Sequence, residues 1–434
     1  MPKLEPFWWE SAGKPESPPE TDLPKEVDVV IVGAGLTGLS AARTLAKAGK
    51  SVLVVDALAP GIGASSRNGG MMGGGHRLLL DDMISKYGKT LAQTLLREAH
   101  LDSTNFVKTL ITEESIDCNF KVCGRFRGFW RNYEFQNTAR TFQQLEKLIP
   151  VEYEMVTRSE QHLQVATELY AGGILFPQHG GLNPAKFTRG LLQAAQAAGA
   201  LVQGDTPVLS ISRCGQGDSG HMVTTSRATI RAATVLAATN GYPPAFLKTA
   251  KRRIISVPSF IVTSEVLGKT KINELFPSGR MVVETRDRHS YYRPSPDGER
   301  LVFGSRAGMV PVPERFARAQ LQSLIRQIFP QLERVSISHS WWGYTGYTFD
   351  FMPHVGRYNG IWHCMGYSGS GNAMAPYLGH KVALAILGDE EAETGFRHTA
   401  FPTRWWHFGP LWFMPFVDIS FRLKDVYNNF RKQS

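Results

Sequence analysis

Near the start of the chain, two apolar runs flank a segment with helical periodicity. Residues 27–32 form an uninterrupted apolar run, and residues 51–55 form a second one that is followed by Asp56. Between them, residues 36–48 place Ala and Leu at helical spacing on one face. Two buried strands and an amphipathic helix joined by tight turns predict a β-α-β unit with a parallel strand pair and a right-handed crossover.

The rest of the chain predicts a mixture of helices and strands. Two runs, residues 254–267 and 281–304, alternate apolar and polar side chains, which predicts an antiparallel sheet with one face toward a cavity. Helical periodicity covers residues 81–120, 133–148, 183–198, 318–329 and 375–387. Shorter apolar runs predict strands over residues 124–130, 202–211, 222–225, 235–238, 336–342 and 362–365.

Composition narrows the class of protein. A length of 434 residues favours two packed lobes over one core. Lys and Arg exceed Asp and Glu by 48 − 38 = 10, a positive charge that attracts anions. No basic segment has interleaved aromatic residues, so nucleic-acid binding is not expected. No apolar stretch is long enough to predict a transmembrane helix.

Cysteine usage and the first residues bear on location. The four cysteines form neither a Cys-x-x-Cys pair nor a zinc ligand set, and so few in a long chain favour a reducing compartment. The first ten residues lack the basic head and apolar run of a signal peptide. We therefore expect a cytoplasmic protein without a metal site.

The first turn carries a glycine motif that binds dinucleotides. It reads Gly33-Ala34-Gly35-Leu36-Thr37-Gly38 and fits Gly-x-Gly-x-x-Gly. The first glycine allows the tight turn, the second lets backbone approach a pyrophosphate, and the third lets helix and strand pack closely. Asp56 lies 56 − 33 = 23 positions after Gly33, near the roughly 20 of a ribose-binding acid. An acid there repels a 2′-phosphate, which disfavours NADP.

The segment after the second strand distinguishes FAD from NAD. Residues 61–70 read GIGASSRNGG, a run of small and hydroxyl residues that can surround a pyrophosphate and let backbone approach a flat ring. A nicotinamide-dependent dehydrogenase needs no such loop there. The sequence therefore predicts FAD, with a NAD-dependent dehydrogenase as the more remote alternative.

Further motifs support this prediction along nearly the whole chain. They are residues 63–70, 181–184, 206–208, 237–242, 291–294 and 366–371, together with Trp342, Gly343, Thr348, Asp350 and Pro353. In this combination the chain resembles the D-amino-acid-oxidase-type flavoprotein superfamily, in the branch of gamma-glutamylputrescine, glycine and sarcosine oxidases. The resemblance implies an α/β (α+β overall) fold, with a Rossmann-type FAD-binding domain and a substrate domain with a mixed, mostly antiparallel sheet.

The resemblance also implies discontinuous domains. The FAD-binding domain is expected from residues 1–80, 165–245 and 340–390, and the substrate domain from residues 81–164 and 246–339. The tail, residues 391–434, is expected to pack on the FAD-binding domain. Its prolines should interrupt the amphipathic helix that would dock on a membrane.

Cofactor contacts are also implied. In such proteins the residue at Val208 holds adenine by its backbone, and the turn 368–372 donates N–H bonds to the flavin pyrimidine carbonyl, where negative charge gathers on reduction. The predicted cofactor-binding residues are Gly33, Ala34, Gly35, Leu36, Thr37, Gly38, Asp56, Ala57, Gly63, Ala64, Ser65, Ser66, Arg67, Asn68, Gly69, Gly70, Val208, Ala238, Thr239, Asn240, Gly343, Gly366, Ser368, Gly369, Ser370, Gly371 and Asn372.

Departures from the family pattern bear on substrate and attachment. Thr345 stands where glycine oxidases have the arginine that pairs with the substrate carboxylate, so an amine is favoured over a simple α-amino acid. Gly343 and Gly70 stand where relatives attach the flavin through cysteine or histidine, so a non-covalent flavin is expected. The oxygen-activating lysine of sarcosine oxidases falls near Val302, which is compatible with a slow oxidase or a dehydrogenase.

The implied reaction removes a hydride from a carbon beside an amine nitrogen, and the resulting imine hydrolyses. Electrons then pass to oxygen or to another acceptor. Predicted substrate-pocket residues are Met71, Met72, His76, Tyr292, Tyr344 and Thr345; Trp341 and Trp342 would add an aromatic wall, and Glu284 and Asp287 would hold a cationic group.

Two alternatives remain within the flavoproteins. The first is an amino-acid oxidase or dehydrogenase whose substrate carboxylate is held by Arg67, Arg253 or Arg293. The second is a flavin-binding protein without catalysis.

Overall fold

The computed structural model describes residues 1–75, 78, 80–215 and 220–433. The helices are α1 (Trp9–Ala12), α2 (Leu36–Lys47), α3 (Ala64–Arg67), α4 (Leu80–Tyr87), α5 (Lys89–Arg97), α6 (Ser103–Glu113), α7 (Asn132–Leu145), α8 (Pro184–Ala197), α9 (Lys248–Lys251), α10 (Lys269–Leu275), α11 (Glu314–Ile328), α12 (Gly371–Leu387) and α13 (Met414–Gln433).

The strands are mostly short, and the longest follow the alternating segments of the sequence. They are β1 (Glu26–Val32), β2 (Val52–Val55), β3 (Met71–Met72), β4 (Lys121–Val122), β5 (Arg125–Gly128), β6 (Glu154–Val156), β7 (Gly173–Phe176), β8 (Gly180–Gly181), β9 (Leu201–Gln203), β10 (Val208–Arg213), β11 (His221–Thr225), β12 (Thr229–Ala237), β13 (Ile255–Ser264), β14 (Met281–Glu284), β15 (Tyr291–Pro294), β16 (Leu301–Ser305), β17 (Ile337–Tyr347), β18 (His354–Tyr358) and β19 (Ile361–Met365).

The first sheet confirms the predicted β-α-β unit. Its order is β10-β11-β12-β1-β2-β9, and β19 pairs with β12 and with β18. β1 is parallel to β2 on one side, with Val29 opposite Val52, and parallel to β12 on the other. Both β1 and β2 are buried on the two faces, which is why their sequences are almost continuously apolar.

The second sheet has the order β17-β13-β16-β15-β14-β5-β7-β6. Its pairings are antiparallel except for β14 with β5, so the predicted mixed, mostly antiparallel sheet is present. Successive side chains of each strand point to opposite faces. One face packs on α11 through a core that includes Tyr292, Phe303 and Leu321, and the other face borders a large cavity.

Core and sheet membership cross the predicted domain boundaries. Leu95 of α5 and Val107 of α6 belong to the core that contains Ile31 and Leu39, so these helices pack with the first sheet. β7 and β17 lie in ranges predicted for the FAD-binding domain but belong to the second sheet. The reason is that sheet membership depends on pairing between strands far apart in sequence, which local periodicity does not record.

The tail divides into two parts. Residues near Thr394 pack on the first core, where the Thr394 hydroxyl donates to Glu98 at 2.8 Å and Phe396 is buried. In contrast, Met414 of α13 packs against Val257 and Met309. This second part therefore contacts the segment predicted as the substrate domain.

The expectation that prolines interrupt a helix in the tail is wrong. α13 begins at Met414 and runs for 20 residues with Pro415 at its second position. A proline in the first helical turn lacks only an N–H that has no helical partner in any case. Across the described ranges, every helix is too short or too polar to cross a bilayer.

Candidate functional site

A cavity of about 1270 Å³ lies between the two sheets. One end is lined by Asp56, Ala57 and Val208, and the other extends to Arg306 and Phe421. Both the glycine turn after β1 and the cavity-facing side of the second sheet contribute to its wall. The predicted cofactor motif and the predicted substrate region therefore share one continuous space.

The glycine turn places the N-terminus of α2 against this cavity. Gly33 has φ +110°, and a Cβ there would lie 2.9 Å from the Ala238 carbonyl oxygen, so only glycine fits. No side chain caps the helix at Gly35. Its first N–H groups have no partner within the helix and face the cavity. One of them, Leu36 N–H, donates to Ser65 Oγ of the loop after β2 at 3.1 Å.

Asp56 closes this end of the cavity as the spacing predicted. Its carboxylate accepts N–H bonds from Ala34 at 2.8 Å and from Leu58 at 3.1 Å. Burial raises the pKa of Asp56, and these N–H bonds partly offset the effect. The carboxylate is thus fixed against the turn and still lines the cavity, where it can accept hydroxyl donors.

The loop after β2 is held by two indole groups. Trp8 Nε1 donates to the Asn68 carbonyl oxygen at 2.8 Å, and Trp341 Nε1 donates to the Arg67 carbonyl oxygen at 2.7 Å. Both tryptophans are buried. A loop of small residues has few side chains of its own to pack, so these bonds fix its backbone from both sides.

A second helix N-terminus meets the same cavity. The turn before α12 uses positive φ at Gly366 (+91°), Ser368 (+50°) and Gly369 (+107°), and no side chain caps the helix. Asn372 Nδ2 donates to Asn68 Oδ1 at 2.8 Å and so joins this turn to the loop after β2. The positive end of the α12 dipole therefore faces the cavity.

Two buried polar atoms at this wall fit a bound polar group. Within the described ranges, Thr239 Oγ1 and Asn372 Oδ1 have no hydrogen-bond partner although both atoms are buried and both residues line the cavity. A buried polar atom without a partner is costly. A ligand with donors and acceptors on its rings and phosphates would satisfy these positions.

Most predicted cofactor residues line the cavity, and six do not. The exceptions are Ala34, Gly38, Ser66, Gly70, Gly343 and Gly366. They support the wall from behind. For example, Gly38 allows α2 to pack on the Gly33 carbonyl, and Ser66 Oγ accepts from Trp9 Nε1 at 3.4 Å.

The predicted substrate residues separate by strand face. Thr345 and Met71 line the cavity. Tyr292 does not: its hydroxyl bonds to that of Tyr170 at 2.6 Å inside the second core, and its neighbour Tyr291 faces the cavity instead. In a strand a one-residue difference moves a side chain to the opposite face, which explains the wrong prediction for Tyr292.

The same alternation shows that the predicted aromatic wall does not line the cavity. Trp342 and Tyr344 lie on the strand face opposite Thr345 and contact each other, with ring centroids 5.3 Å apart. Trp341 is buried and engaged with the loop after β2. None of these three rings lines the cavity.

The remaining predicted pocket residues have different positions. Met72 is buried in a small sheet with β8, away from the cavity lining. His76 lies outside the described residues. The Glu284 carboxylate is paired with Arg286 through two bonds of 2.6 and 2.8 Å, so it is not free to hold a substrate cation, whereas Asp287 is exposed at the cavity wall.

The three candidate carboxylate-binding arginines are engaged with backbone. Only Arg67 among them lines the cavity. Their guanidinium groups donate to main-chain carbonyl oxygens: Arg67 to Ile62 and Trp342, Arg253 to Thr249 and Phe401, and Arg293 to Gly70, Leu182 and Pro294. Arg293 and Arg253 therefore have structural roles.

A model of one protein family, described as FAD dependent oxidoreductase (DAO), matches residues 28–384. The chain belongs to this family. The match decides between FAD and NAD, and the N–H groups at α2 and α12, the Asp56 carboxylate and the two unpartnered polar atoms are compatible with FAD. The expectation of a NAD-dependent dehydrogenase is therefore dropped.

Curated relatives match the chain over most of its length. It is 30% identical over 404 residues to "Probable oxidoreductase OrdL" of Haemophilus influenzae, which covers 89% of this chain and 88% of the relative. It is 27% identical to "Gamma-glutamylputrescine oxidoreductase" of Escherichia coli, over 86% of this chain and 88% of the relative. The crystal structure of glycine oxidase from Geobacillus kaustophilus aligns with a TM-score of 0.71 at 22% identity, over 88% of this chain and 99% of that one.

Sequence reasoning missed several residues of the site. Trp8 acts on the loop after β2 from 60 positions away, which no local pattern shows. Tyr291 and Arg306 line the cavity. Arg306 lies two positions after Gly304, so the alternation of side chains along this strand could have placed it on the same face. Arg306 is buried and its guanidinium donates to the Tyr347 hydroxyl.

We expect Trp8→Phe to weaken FAD binding. The substitution keeps an apolar ring but leaves the Asn68 carbonyl without its indole donor, so the Kd for FAD should rise about tenfold. Titration of the apoprotein with FAD, followed by quenching of flavin fluorescence, measures this. Trp342→Phe is the matched control because Trp342 lies on the opposite strand face and is partly exposed. Equal Kd values for the two variants would contradict the role of Trp8.

Proposed function

We propose that the chain oxidises a C–N bond of a small molecule that bears an amine. FAD, when bound, supplies the chemistry by accepting a hydride from the carbon beside the amine nitrogen. The observation that carries the proposal is the single cavity that runs from the dinucleotide motif at α2 to a region bordered by Tyr291, Thr345 and Arg306. A small molecule there would lie beside the segment expected to hold the flavin ring.

The charges at this end of the cavity favour a neutral amine. Arg306 is buried beside the site and has no ion-pair partner in the described part of the chain. A nearby positive charge lowers the pKa of an ammonium, and the neutral amine has the lone pair that hydride removal needs. Burial raises the pKa of Tyr291 to about 12, so its phenol stays protonated and can orient substrate without acting as a base.

The names of the relatives agree with this substrate class. The Escherichia coli relative is named for gamma-glutamylputrescine and the Geobacillus kaustophilus structure for glycine. Both named compounds carry an amine. No lysine of the described chain lines the cavity.

An anaerobic screen tests the proposed function. We expect one or more amines to bleach the flavin absorbance of the purified protein, because hydride transfer reduces the ring. Admission of oxygen then distinguishes the acceptor: rapid recolouring with peroxide indicates an oxidase, and persistent bleaching indicates a dehydrogenase. If neither amines nor amino acids bleach the flavin, the chain binds FAD without this catalysis and the proposal fails.

We further propose that FAD is held without a covalent bond. Gly343 stands at the attachment position of relatives, and none of the four cysteines lines the cavity. Burial raises the pKa of Cys364 to about 12, so this thiol remains protonated and unreactive. Precipitation with acid should leave the yellow colour in the supernatant. A yellow pellet that survives washing would contradict the proposal.

A second candidate function, amino-acid oxidation, is favoured by the position of Arg306. Tyr347, to which Arg306 donates, lies two residues after Thr345 on the same face of β17, so the Arg306 guanidinium contacts a side chain about 7 Å along the strand from position 345. Arg306 could therefore replace the arginine that Thr345 lacks. It was not among the arginines suggested by the sequence.

Arg306→Gln separates the two functions. If an α-amino acid is the substrate, its KM should rise about a hundredfold, because a charge-assisted bidentate pair is lost, while Arg306→Lys should restore part of the loss. The matched comparison is the amine that lacks the carboxylate, whose KM should change much less, because it loses only the effect of the Arg306 charge on the ammonium pKa. Equal changes for acid and amine would mean that Arg306 does not bind the carboxylate.

A further inference from the structure

Two arginines of the cavity wall have guanidinium groups without a carboxylate partner in the described chain. Arg125 and Arg127 are two positions apart on β5, so they project from the same face of the strand, and both line the cavity. Neither is used by the cofactor motifs or by the proposed chemistry. They also escaped the sequence reasoning, which treated this strand only as an element.

Their hydrogen bonding is incomplete. Arg125 Nη2 donates to the Gly74 carbonyl oxygen at 3.2 Å, but its buried Nε has no partner in the described chain. The Arg127 guanidinium makes no hydrogen bond within the described ranges. Neither guanidinium has a carboxylate within ion-pair distance there. The nearest acid, Glu134, instead accepts from Arg131 N–H at 2.9 Å and Thr285 Oγ1 at 2.6 Å.

This arrangement costs free energy in the free protein. Burial, together with the neighbouring charge of Arg127, lowers the pKa of Arg125 to about 10. The incompletely bonded Arg125 beside the like charge of Arg127 carries a cost that a bound anion would offset.

A structural role does not account for the pair. Arg293 shows what a structural arginine looks like here, since it fills the space over Gly181 and donates to three backbone carbonyls. Arg127 makes no such bonds and retains accessible surface. The rings of Phe142 and Phe176 line the same part of the cavity, which provides apolar walls around the charges.

The pair is also removed from the expected phosphate position. Arg127 lies opposite Val283 of β14, and Val283 lies opposite Tyr291 of β15. Arg127 is thus two strands, or about 10 Å, from Tyr291 across the sheet. Tyr291 contacts the loop after β2 at Gly69, where a Cβ would lie 2.7 Å from the ring. The arginines therefore face the far side of the substrate region, whereas α2 faces the pyrophosphate.

We propose that Arg125 and Arg127 form a subsite for a carboxylate at the end of the substrate remote from the oxidised C–N bond. The subsite selects elongated amines with a terminal carboxylate over plain alkylamines and diamines. This inference rests on the proposed function for the identity of the reacting group. The anion subsite itself can be tested without catalysis.

The binding test uses the FAD-loaded protein and straight-chain dicarboxylates, which have no amine to oxidise. Binding is followed by perturbation of the flavin absorbance and, independently, by isothermal calorimetry. Arg127→Gln should raise the dicarboxylate Kd about tenfold to a hundredfold, since it removes a charge-assisted bond, and Arg127→Lys should raise it less. Arg131→Gln is the control, because Arg131 lies outside the cavity lining and should leave the Kd unchanged.

The specificity test compares straight-chain ω-aminocarboxylates with the matching ω-aminoamides by anaerobic bleaching. The wild type should bind the acids more tightly than the amides, and Arg127→Gln should abolish that difference while the amides bind as before. Arg125→Gln should act in the same direction; if that variant does not fold, Arg127→Gln decides, because Arg127 has no backbone bond to lose.

The outcomes separate the two proposals. Loss of dicarboxylate binding in Arg127→Gln without bleaching by any amine would support the subsite and refute the proposed function. Bleaching by amines with equal affinity for acids and amides, unchanged in Arg127→Gln, would support the proposed function and overturn the subsite. Equal weakening of acids and amides in Arg127→Gln would also overturn it, since the effect of Arg127 would then not depend on the carboxylate.

Discussion

The close packing around the N-terminus of α2 is the constraint on which the rest of the site depends. A Cβ at Gly38 would overlap the Gly33 carbonyl, and a Cβ at Gly379 of α12 would overlap the Thr37 carbonyl. Glycine at these positions lets α2 lie directly on β1 and lets α12 lie directly on α2. The two helices then direct their N-termini into one cavity, where their partial positive charges would act on a dinucleotide bound there.

Acidic and basic side chains lie at different parts of the cavity wall. Asp56 holds one end, and the arginines occur mainly where substrate would lie. The same residue type has different roles according to its surroundings: the Arg293 guanidinium donates to three backbone carbonyls and stabilises the fold, whereas the Arg127 guanidinium makes no hydrogen bond in the described chain and faces the cavity. A charged side chain that the fold leaves without a partner, such as Arg127, is available to bind a ligand.

Particular residues show how far sequence patterns reach. The glycine turn, Asp56 and the turn before α12 have short-range signatures, because each depends on backbone conformation within a few residues, and residues of all three line the cavity. Tyr292 was assigned to the wrong face of its strand. A strand pattern locates the strand well, but it does not decide which face each side chain takes when two adjacent residues, Tyr291 and Tyr292, are of the same type. Trp8, Arg125 and Arg306 were missed because their partners are distant in sequence.

The sequence by itself determined the β-α-β unit and the choice of FAD, because these depend on local spacing and on residues that permit unusual backbone conformations. Only the tertiary structure decided which of two adjacent tyrosines faces the cavity, which core the helices of residues 80–113 join, and which arginines remain unpaired. Those properties depend on strand register and on long-range packing. No local pattern records them, since the partners meet only when the chain folds.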